Sequence, residues 1–358
     1  MKRNILVINP GSTSTKISVF DYCTDEEIYK DTIYYSSYDL GKYSTIIKQK
    51  YFRKKDILNF LNKHNVNLDS LIAVVGRGGM LKPIPSGTYI INDAMIDDLQ
   101  SCKYGSHASN LGGILAKEIA STHGIDAFIV DPVVVDEMDD IARISGFKGI
   151  NRRSVIHALN QKTVARKVLK SHSLTYENSK IIVAHMGGGI SIGVHKHGRI
   201  IDLTNAFDGE GPMSPERTGY IPLIQFYDYI SNNKLSHNEI KKMVAGNGGL
   251  VSYLNTNNIE SIEHNIKNGD LYSKKILDAL CYQISKSIGE LATVLRGDVD
   301  MIILTGGISH SNYITKYIEK QIGWISTVNV FPGELEMMGL YEGVKRVLEG
   351  IENIKTYN

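Results

Sequence analysis

The chain has 358 residues, 40 basic against 38 acidic, and a formal net charge of +2. Charges so balanced and intermixed leave no basic stripe for a nucleic-acid backbone, and no apolar run approaches the roughly 18 residues of a membrane helix. Cys23, Cys102 and Cys281 are widely spaced and show no metal-like pairing, which fits free buried thiols in a reducing cytoplasm.

The length suggests two domains, and the chain enters an apolar run at once, so no secretory leader is expected. Ile5-Leu6-Val7-Ile8 is that run. Asn9-Pro10-Gly11-Ser12-Thr13-Ser14-Thr15 forms a polar corner, and Ile17-Ser18-Val19-Phe20 alternates with the period of a strand. Glycine, hydroxyls and Lys16 mimic a P-loop, but a P-loop lysine follows glycine and opens a helix. The alternation after Lys16 predicts instead an antiparallel strand, with a phosphate-facing corner between the two.

Residues 22–70 are polar, rich in Tyr and Lys, and read as carrying little chemistry. Within them 51–63 has helical spacing, with Phe52, Ile57, Phe60 and Leu61 on one side. Residues 71–75 form a buried strand that delivers Gly76-Arg77-Gly78-Gly79 at its C-terminal end, where open α/β sheets place ligand contacts. Arg77 is thus a candidate anion binder, with a surface salt bridge as the alternative. A turn at Pro83 and Pro85 precedes a short helix at 92–100. A second helix over 114–121 is entered through His107, with Ser106 or Ser109 as its cap. His107 reads as structural or as a residue of the site rim. The strand 127–130 ends in Asp131-Pro132, and Asp131 is either a site carboxylate or a turn aspartate. Residues 150–171 read as a helix carrying Arg152, Arg153, His157 and Asn160, with His157 on the face of Arg153.

The first pattern then recurs. Ile181-Ile182-Val183-Ala184 is apolar, His185-Met186-Gly187-Gly188-Gly189 is a glycine corner, and Ile190, Ile192 and Val194 alternate. A turn at His197-Gly198 leads to a strand over 199–203. Two like hairpins half a chain apart suggest an internal duplication in which each half offers a phosphate-facing corner to a shared cleft. The polar loop 204–219 holds Asp208, Glu210, Pro212, Pro215 and Glu216, and presents Arg217 rigidly. Helices at 223–230 and 238–245 precede a long amphipathic helix at 272–295. The strand 301–304 ends in Thr305-Gly306-Gly307-Ile308 before a helix from about Asn312, which suits the adenosine and α-phosphate end of a nucleotide. A last strand at 328–331 leads through Pro332-Gly333-Glu334-Leu335-Glu336 into a terminal helix that returns to the first domain. The expected division is 1–150 plus about 336–358, and 151–335.

These elements resemble the phosphate and adenosine elements of the superfamily of sugar kinases, heat-shock chaperones and actin. Within it the chain resembles the acetate and butyrate kinase family, and its butyrate kinases most. The matching segments are NPGSTSTKI, RGGMLKPIPSGTY, SHASNLGG, DPVVVDEMDDIARISG, HALNQKTVAR, AHMGGGIS, DGEGPMSPERTG, GGLVSYL, LTGGISHS and PGELEM, in order from residue 9 to 337. The resemblance implies an α/β fold of two duplicated actin/ribonuclease H-like domains with an inter-domain nucleotide cleft. It also implies reversible phosphoryl transfer between ATP and butyrate or a close short-chain fatty acid, giving an acyl phosphate and ADP with Mg2+. The implied enzyme is a cytoplasmic homo-oligomer of two or more copies, with neither nucleic acid nor membrane as partner. The alternatives are an acetate- or branched-acid-preferring kinase, and a non-catalytic nucleotide-binding protein of the same superfamily.

Residue roles follow from the same resemblance. Arg77 binds the carboxylate or the transferring phosphate, Asp131 orients substrate or arginine, and Arg217 stabilises the transition state. His157 lies near the transferring phosphoryl, and His185 heads the second corner. Ser12, Thr13, Ser14 and Lys16, with Gly187, Gly188 and Gly189, face phosphates; Gly306, Gly307 and Ile308 take the adenosine end. Asn9 and Glu336 assist magnesium, with Glu334 as rival to Glu336. A carboxylate is already a nucleophile at neutral pH, so the main obstacle is repulsion between two anions, which arginines and magnesium offset. The sequence departs from the family at Lys148, Asn255, Asn258 and Tyr220, and a bulky Tyr220 bears on the preferred acyl length.

Overall fold

Continuous apolar runs become the central strands of two sheets, in a computed structural model that describes residues 3–205 and 207–358. The strands of the first half are β1 (Asn4–Pro10), β2 (Ser14–Asp21), β3 (Glu27–Tyr34), β4 (Leu71–Arg77), β5 (Thr88–Ile90) and β6 (Asp126–Val130). Those of the second are β7 (Lys180–Met186), β8 (Ile190–Lys196), β9 (Arg199–Leu203), β10 (Met301–Gly306) and β11 (Val328–Pro332), and β12 (Lys355–Thr356) ends the chain. The sheet orders are β12-β5-β6-β4-β1-β2-β3 and β11-β10-β7-β8-β9.

The duplication expected from the two corners is visible in the topology. In the first sheet β1, β2 and β3 are antiparallel neighbours, while β4 runs parallel to β1 and β6 parallel to β4. In the second, β7, β8 and β9 are antiparallel neighbours, while β10 runs parallel to β7 and β11 parallel to β10. Lys16 lies on β2 opposite Asn9, so the first corner is a hairpin and not a P-loop.

Two compact units contain these sheets: Met1–Val135 with Leu335–Asn358, and Asp136–Glu334. Each has its own apolar core. In the first, helix Asn110–Ser121 packs against β4 and β6. A Cβ on Gly76 would lie 2.0 Å from the Gly112 carbonyl oxygen, and one on Gly112 2.3 Å from that of Arg77. Two bare Cα atoms therefore let the helix touch the end of β4 and fix where Arg77 emerges. The terminal helix Glu336–Leu348 packs on β1, β4 and β6, with Tyr341 stacked on Phe20. In the second unit, helix Leu271–Ala292 buries Ile276, Leu277, Leu280, Ile284, Ile288 and Leu291, the apolar stripe its spacing predicts.

Several local expectations are corrected. Residues 22–70 include β3, an edge strand whose Glu, Lys and Asp leave it half exposed and without an apolar face to read. The helix expected over 150–171 is Ala158–Ser171. Asn151 instead bridges to Ile144, and the Arg152 guanidinium bonds Asp202, Glu210 and the carbonyl of Ala142, holding this segment extended. His157 is consequently the residue preceding the helix and shares no helical face with Arg153, which pairs with Asp208. The helix after His107 begins at Asn110, where Ser109 holds the cap position but turns its hydroxyl to His107 Nδ1, 2.8 Å away. All three cysteines are unpaired, yet only Cys281 is buried, its thiol pushed up to about 12 by burial; Cys23 is exposed in the turn after β2. No helix among the described residues is long and apolar enough to cross a membrane.

Candidate active site

In the first unit the chain turns between β1 and β2 with the Gly11 N–H donating to the Ser14 carbonyl at 2.8 Å. The Thr13 carbonyl accepts from the Tyr35 N–H at 2.9 Å, and those of Gly11, Ser12 and Ser14 answer to a residue that the sequence pattern does not single out. Arg53, on helix Lys50–Lys63, is fully buried. Its Nη1 donates to the carbonyls of Gly11 (2.9 Å) and Ser14 (3.0 Å) and to Thr15 Oγ1 (3.0 Å). Its Nη2 donates to the Ser12 carbonyl (3.3 Å) and Gln49 Oε1 (2.9 Å), and the guanidinium sits 4.6 Å from the Tyr35 ring centre. Burial lowers the Arg53 pKa, and carbonyl dipoles in place of a carboxylate compensate the charge. Among the described residues the N–H groups of Ser12 and Thr13 have no acceptor, so the corner presents donors on the side away from its bound carbonyls. A sequence signal existed: Arg53 is four residues before Ile57, on the buried stripe.

Beside the corner, Asn9, Arg77 and Glu336 converge. Asn9 Nδ2 donates to Glu336 Oε2 at 2.8 Å, and Arg77 Nη1 forms an ion pair with the same oxygen. Asn9 and Glu336 are buried, so the arginine's ion pair is not a surface salt bridge. His107 lies within the field of Arg77; burial, then that charge, lower its pKa and keep it neutral. Its Nδ1 accepts from the Ser109 N–H (3.2 Å), which leaves the proton on Nε2. Asp131 follows β6 with φ of 39°, and its Oδ1 accepts from Ser86 Oγ (2.5 Å) and the Gly87 N–H (2.8 Å). Those two bonds are the turn role the sequence left open.

In the second unit the Gly187 N–H donates to the Gly189 carbonyl at 3.1 Å. The loop carrying Arg217 is laced onto this corner. Ser214 Oγ and the Glu216 N–H both donate to the Gly188 carbonyl, at 2.7 and 3.2 Å. Ser214 and Arg217 exchange two further bonds, Ser214 N–H to the Arg217 carbonyl (3.0 Å) and Arg217 N–H to Ser214 Oγ (3.1 Å). A Cβ on Gly189 would lie 2.4 Å from Arg217 Cζ, so the guanidinium rests on the bare Cα of Gly189. The Phe207 ring centre lies 5.3 Å from it. Burial lowers the Arg217 pKa against the opposing charge of Glu216, but a guanidinium stays charged. Among the described residues its side chain has neither hydrogen bond nor ion pair.

His157 and His185 stack with ring centres 4.1 Å apart. Asn160 Nδ2 donates to His185 Nδ1 at 2.8 Å, so the His185 proton is on Nε2, which lies 3.8 Å from Glu334 Oε1. Of the two rival glutamates, Glu336 therefore contacts Asn9 and Glu334 faces His185. Gly306, with φ of 92°, lies against Met186; a Cβ there would come 2.4 Å from the Met186 carbonyl oxygen. Gly307 and Ile308, which follow, line a cavity of about 790 Å³ with Asn258, Ile259, Glu263 and Tyr313.

Residues 141–324 match the family model described as the acetokinase family. The chain is 49% identical over 354 residues to a protein named "Probable butyrate kinase" from Enterococcus faecalis, covering 99% of this chain and 97% of that one. It is also 49% identical over 357 residues to "Butyrate kinase 2" from Clostridium acetobutylicum, covering all of both. Among solved structures, Porphyromonas gingivalis acetate kinase superposes with a TM-score of 0.78 at 19% identity, over 96% of this chain and 99% of the other. A propionate kinase from Francisella tularensis gives 0.75 at 18% identity, over 95% and 98%. At those identities the structural matches establish the duplicated fold.

Proposed function

The chain belongs to the acetokinase family, and on that premise we propose that it transfers a phosphoryl group reversibly between ATP and butyrate, giving butyryl phosphate and ADP. The observation that carries this reading is Arg217, a mostly buried cation that forms no ion pair among the described residues, lying on the glycine corner. Such a group is built to meet an anion that arrives from outside. The transferring phosphoryl carries its charge on three equatorial oxygens, so a preorganised guanidinium stabilises it as charge redistributes.

The other residues take roles that suit their chemistry. Arg77 grips the carboxylate through the donors of its fork not committed to Glu336. Asp131 fixes the Ser86–Gly87 turn and orients the acid. The N–H groups of Ser12 and Thr13, with Ser14, Lys16, Gly187, Gly188 and Gly189, receive phosphate oxygens. His157 and His185 donate to the phosphoryl, and the cavity lined by Gly307 and Ile308, next to Gly306, receives adenosine. The first unit thus handles the acid and phosphate and the second the nucleotide. The attacking carboxylate needs no base, which accords with a site built of donors.

Magnesium takes hard oxygen ligands and is usually held by one or two carboxylates plus substrate phosphates. The adjoining Asn9 amide and Glu336 carboxylate supply that donor type, and they would hold the ion beside the first corner. When bound it neutralises phosphate charge. We place the enzyme in the cytoplasm as a homo-oligomer of two or more copies.

The test is a hydroxamate assay with ATP and acetate, propionate, butyrate, valerate and isobutyrate. Each buried methylene contributes about 0.8 kcal/mol, so butyrate should exceed acetate in kcat/KM by about 10- to 20-fold. Acetate equal to or better than butyrate would overturn the butyrate assignment alone, and Tyr220→Gly should then move the optimum to longer acids. No acyl phosphate from any acid would overturn the phosphotransferase reading.

A further inference from the structure

Behind His157 lies a chain of polar side chains that the reaction as described does not use. Tyr176, Gln161, Ser191 and His195 are all buried, the last three with no exposed surface. Buried polar groups must be paired, and here the pairing has one solution. The Ser191 carbonyl can only accept, and Gln161 presents its amide to it at 3.0 Å, so the atom facing it is Nε2. The same Nε2 donates to Ser191 Oγ at 3.1 Å. Gln161 Oε1 then faces His195 Nε2 at 2.9 Å, which places the His195 proton on Nε2. His195 Nδ1 is left to accept from the Tyr176 hydroxyl at 2.8 Å. At the other end, Ser191 Oγ has already received the Gln161 donor. Among the described residues its own proton has one acceptor, His157 Nδ1 at 2.8 Å. The proton of neutral His157 must therefore be on Nε2.

Two observations support the direction of this chain. Burial, with Lys162 and Arg166 nearby, holds the His195 pKa well below its usual value, so that ring is neutral as the pairing requires. Gly193 sits between Ser191 and His195 on the same face of β8, and a Cβ there would lie 2.6 Å from Gln161 Oε1 and 3.1 Å from His195 Nε2. The missing side chain makes room for the Gln161–His195 bond. Asn160 does for His185 what Ser191 does for His157, so consecutive residues of one helix turn, Asn160 and Gln161, govern both stacked rings.

We propose that Tyr176, His195, Gln161 and Ser191 form a buried hydrogen-bond relay that fixes His157 as an Nε2–H donor, with Ser191 and Gln161 as its positioning residues. This rests on the kinase reading only for the use made of His157. A neutral imidazole with a fixed Nε2–H can donate to a phosphoryl oxygen without gaining or losing a proton. A ring free to swap tautomers would present a lone pair to that anion part of the time.

Long-range proton–nitrogen NMR on the full chain with 15N-labelled histidine reads the tautomer directly, with His157→Gln assigning the signal. The expected spectrum at pH 7.5 has His157 protonated on Nε2 and bare on Nδ1. Ser191→Ala should mix the tautomers and lower kcat roughly 10- to 100-fold, as for other groups that orient a histidine through its second nitrogen. KM for ATP and butyrate should stay within about twofold, and Ser191→Thr, which keeps the hydroxyl, should restore both tautomer and rate. A wild-type His157 protonated on Nδ1 overturns the relay, whether or not any variant folds. So does a Ser191→Ala enzyme with unchanged tautomer and kcat. The wild-type spectrum needs no turnover, so a chain without kinase activity would leave this test intact.

Discussion

Replacing Gly189 by alanine adds one methyl group at the point where Arg217 rests. The new Cβ would lie 2.4 Å from Cζ, 2.5 Å from Nη1 and 2.8 Å from Nε. Carbon contacts settle near 3.5–4.0 Å, so the guanidinium must retreat by roughly 1 Å. Gly189 is not among the positive-φ glycines, so alanine is compatible with the backbone, and the atoms displaced are the end of a flexible side chain. The fold should hold, with stability within about 1 kcal/mol of wild type. Catalysis should not, because a misplacement of about 1 Å can cost about 10²-fold. That loss corresponds to about 2.7 kcal/mol of transition-state stabilisation. Arg217→Ala sets the ceiling at roughly 10³-fold or more, by analogy with arginine fingers. The assay is kcat at saturating ATP and butyrate for both single variants and the double variant. Since both changes act on one guanidinium, the double variant should be no slower than Arg217→Ala. Gly189→Ala with kcat within twofold of wild type, or losses that multiply in the double variant, would refute the contact as the reason for the glycine.

Arg53→Met should strand the carbonyls of Gly11 and Ser12, while that of Ser14 keeps the Gly11 N–H, and lower stability to urea by about 2–6 kcal/mol at about 1–3 kcal/mol for each stranded group; a loss under about 1 kcal/mol would remove Arg53 as the brace of the first corner. His195 has a folded pKa well below its unfolded value near 6.5, so the unfolded chain takes up a proton that the folded one refuses as pH falls. Its stabilisation is complete above about pH 6.5 and declines below it, by at most about 1.4 kcal/mol per pH unit. His195→Gln should flatten the stability profile between pH 6.5 and 5 by up to one proton, and parallel profiles would contradict the assignment. Gly188→Val points its side chain at the Glu216 carboxylate, 3.3 Å from the new Cβ. It should abolish ATP binding by calorimetry while circular dichroism is unchanged; normal ATP binding would reduce this corner to a plain hairpin.

The sequence by itself determined the features that one strand, one turn or one helix face expresses. The apolar runs at 5–8, 181–184 and 301–304 announce buried strands, and the glycines after two of them announce corners with bare N–H groups. The stripe of helix Leu271–Ala292 is equally local. The repetition of strand and corner showed the duplication before the sheets did. Arg77 was legible as a candidate at the end of an apolar strand, whereas Glu336, with Glu334 as its rival, was named only by the family resemblance.

Tertiary structure decided which polar side chains those elements close around. Nothing near Arg53 in the sequence says that the carbonyls of Gly11, Ser12 and Ser14 satisfy it. Arg152 stays outside the predicted helix because Asp202 and Glu210 hold it there, which moves His157 to the helix entrance. Asn9 meets Glu336 across 327 positions of the chain. The relay behind His157 joins a helix, two positions of β8 and a tyrosine from the turn before β7. Hydrophobic periodicity records which face of an element leaves water, because burial of an apolar group depends little on who its neighbour is. A buried polar group is stable only against a specific partner with matched donor and acceptor, and that partner is supplied by the fold.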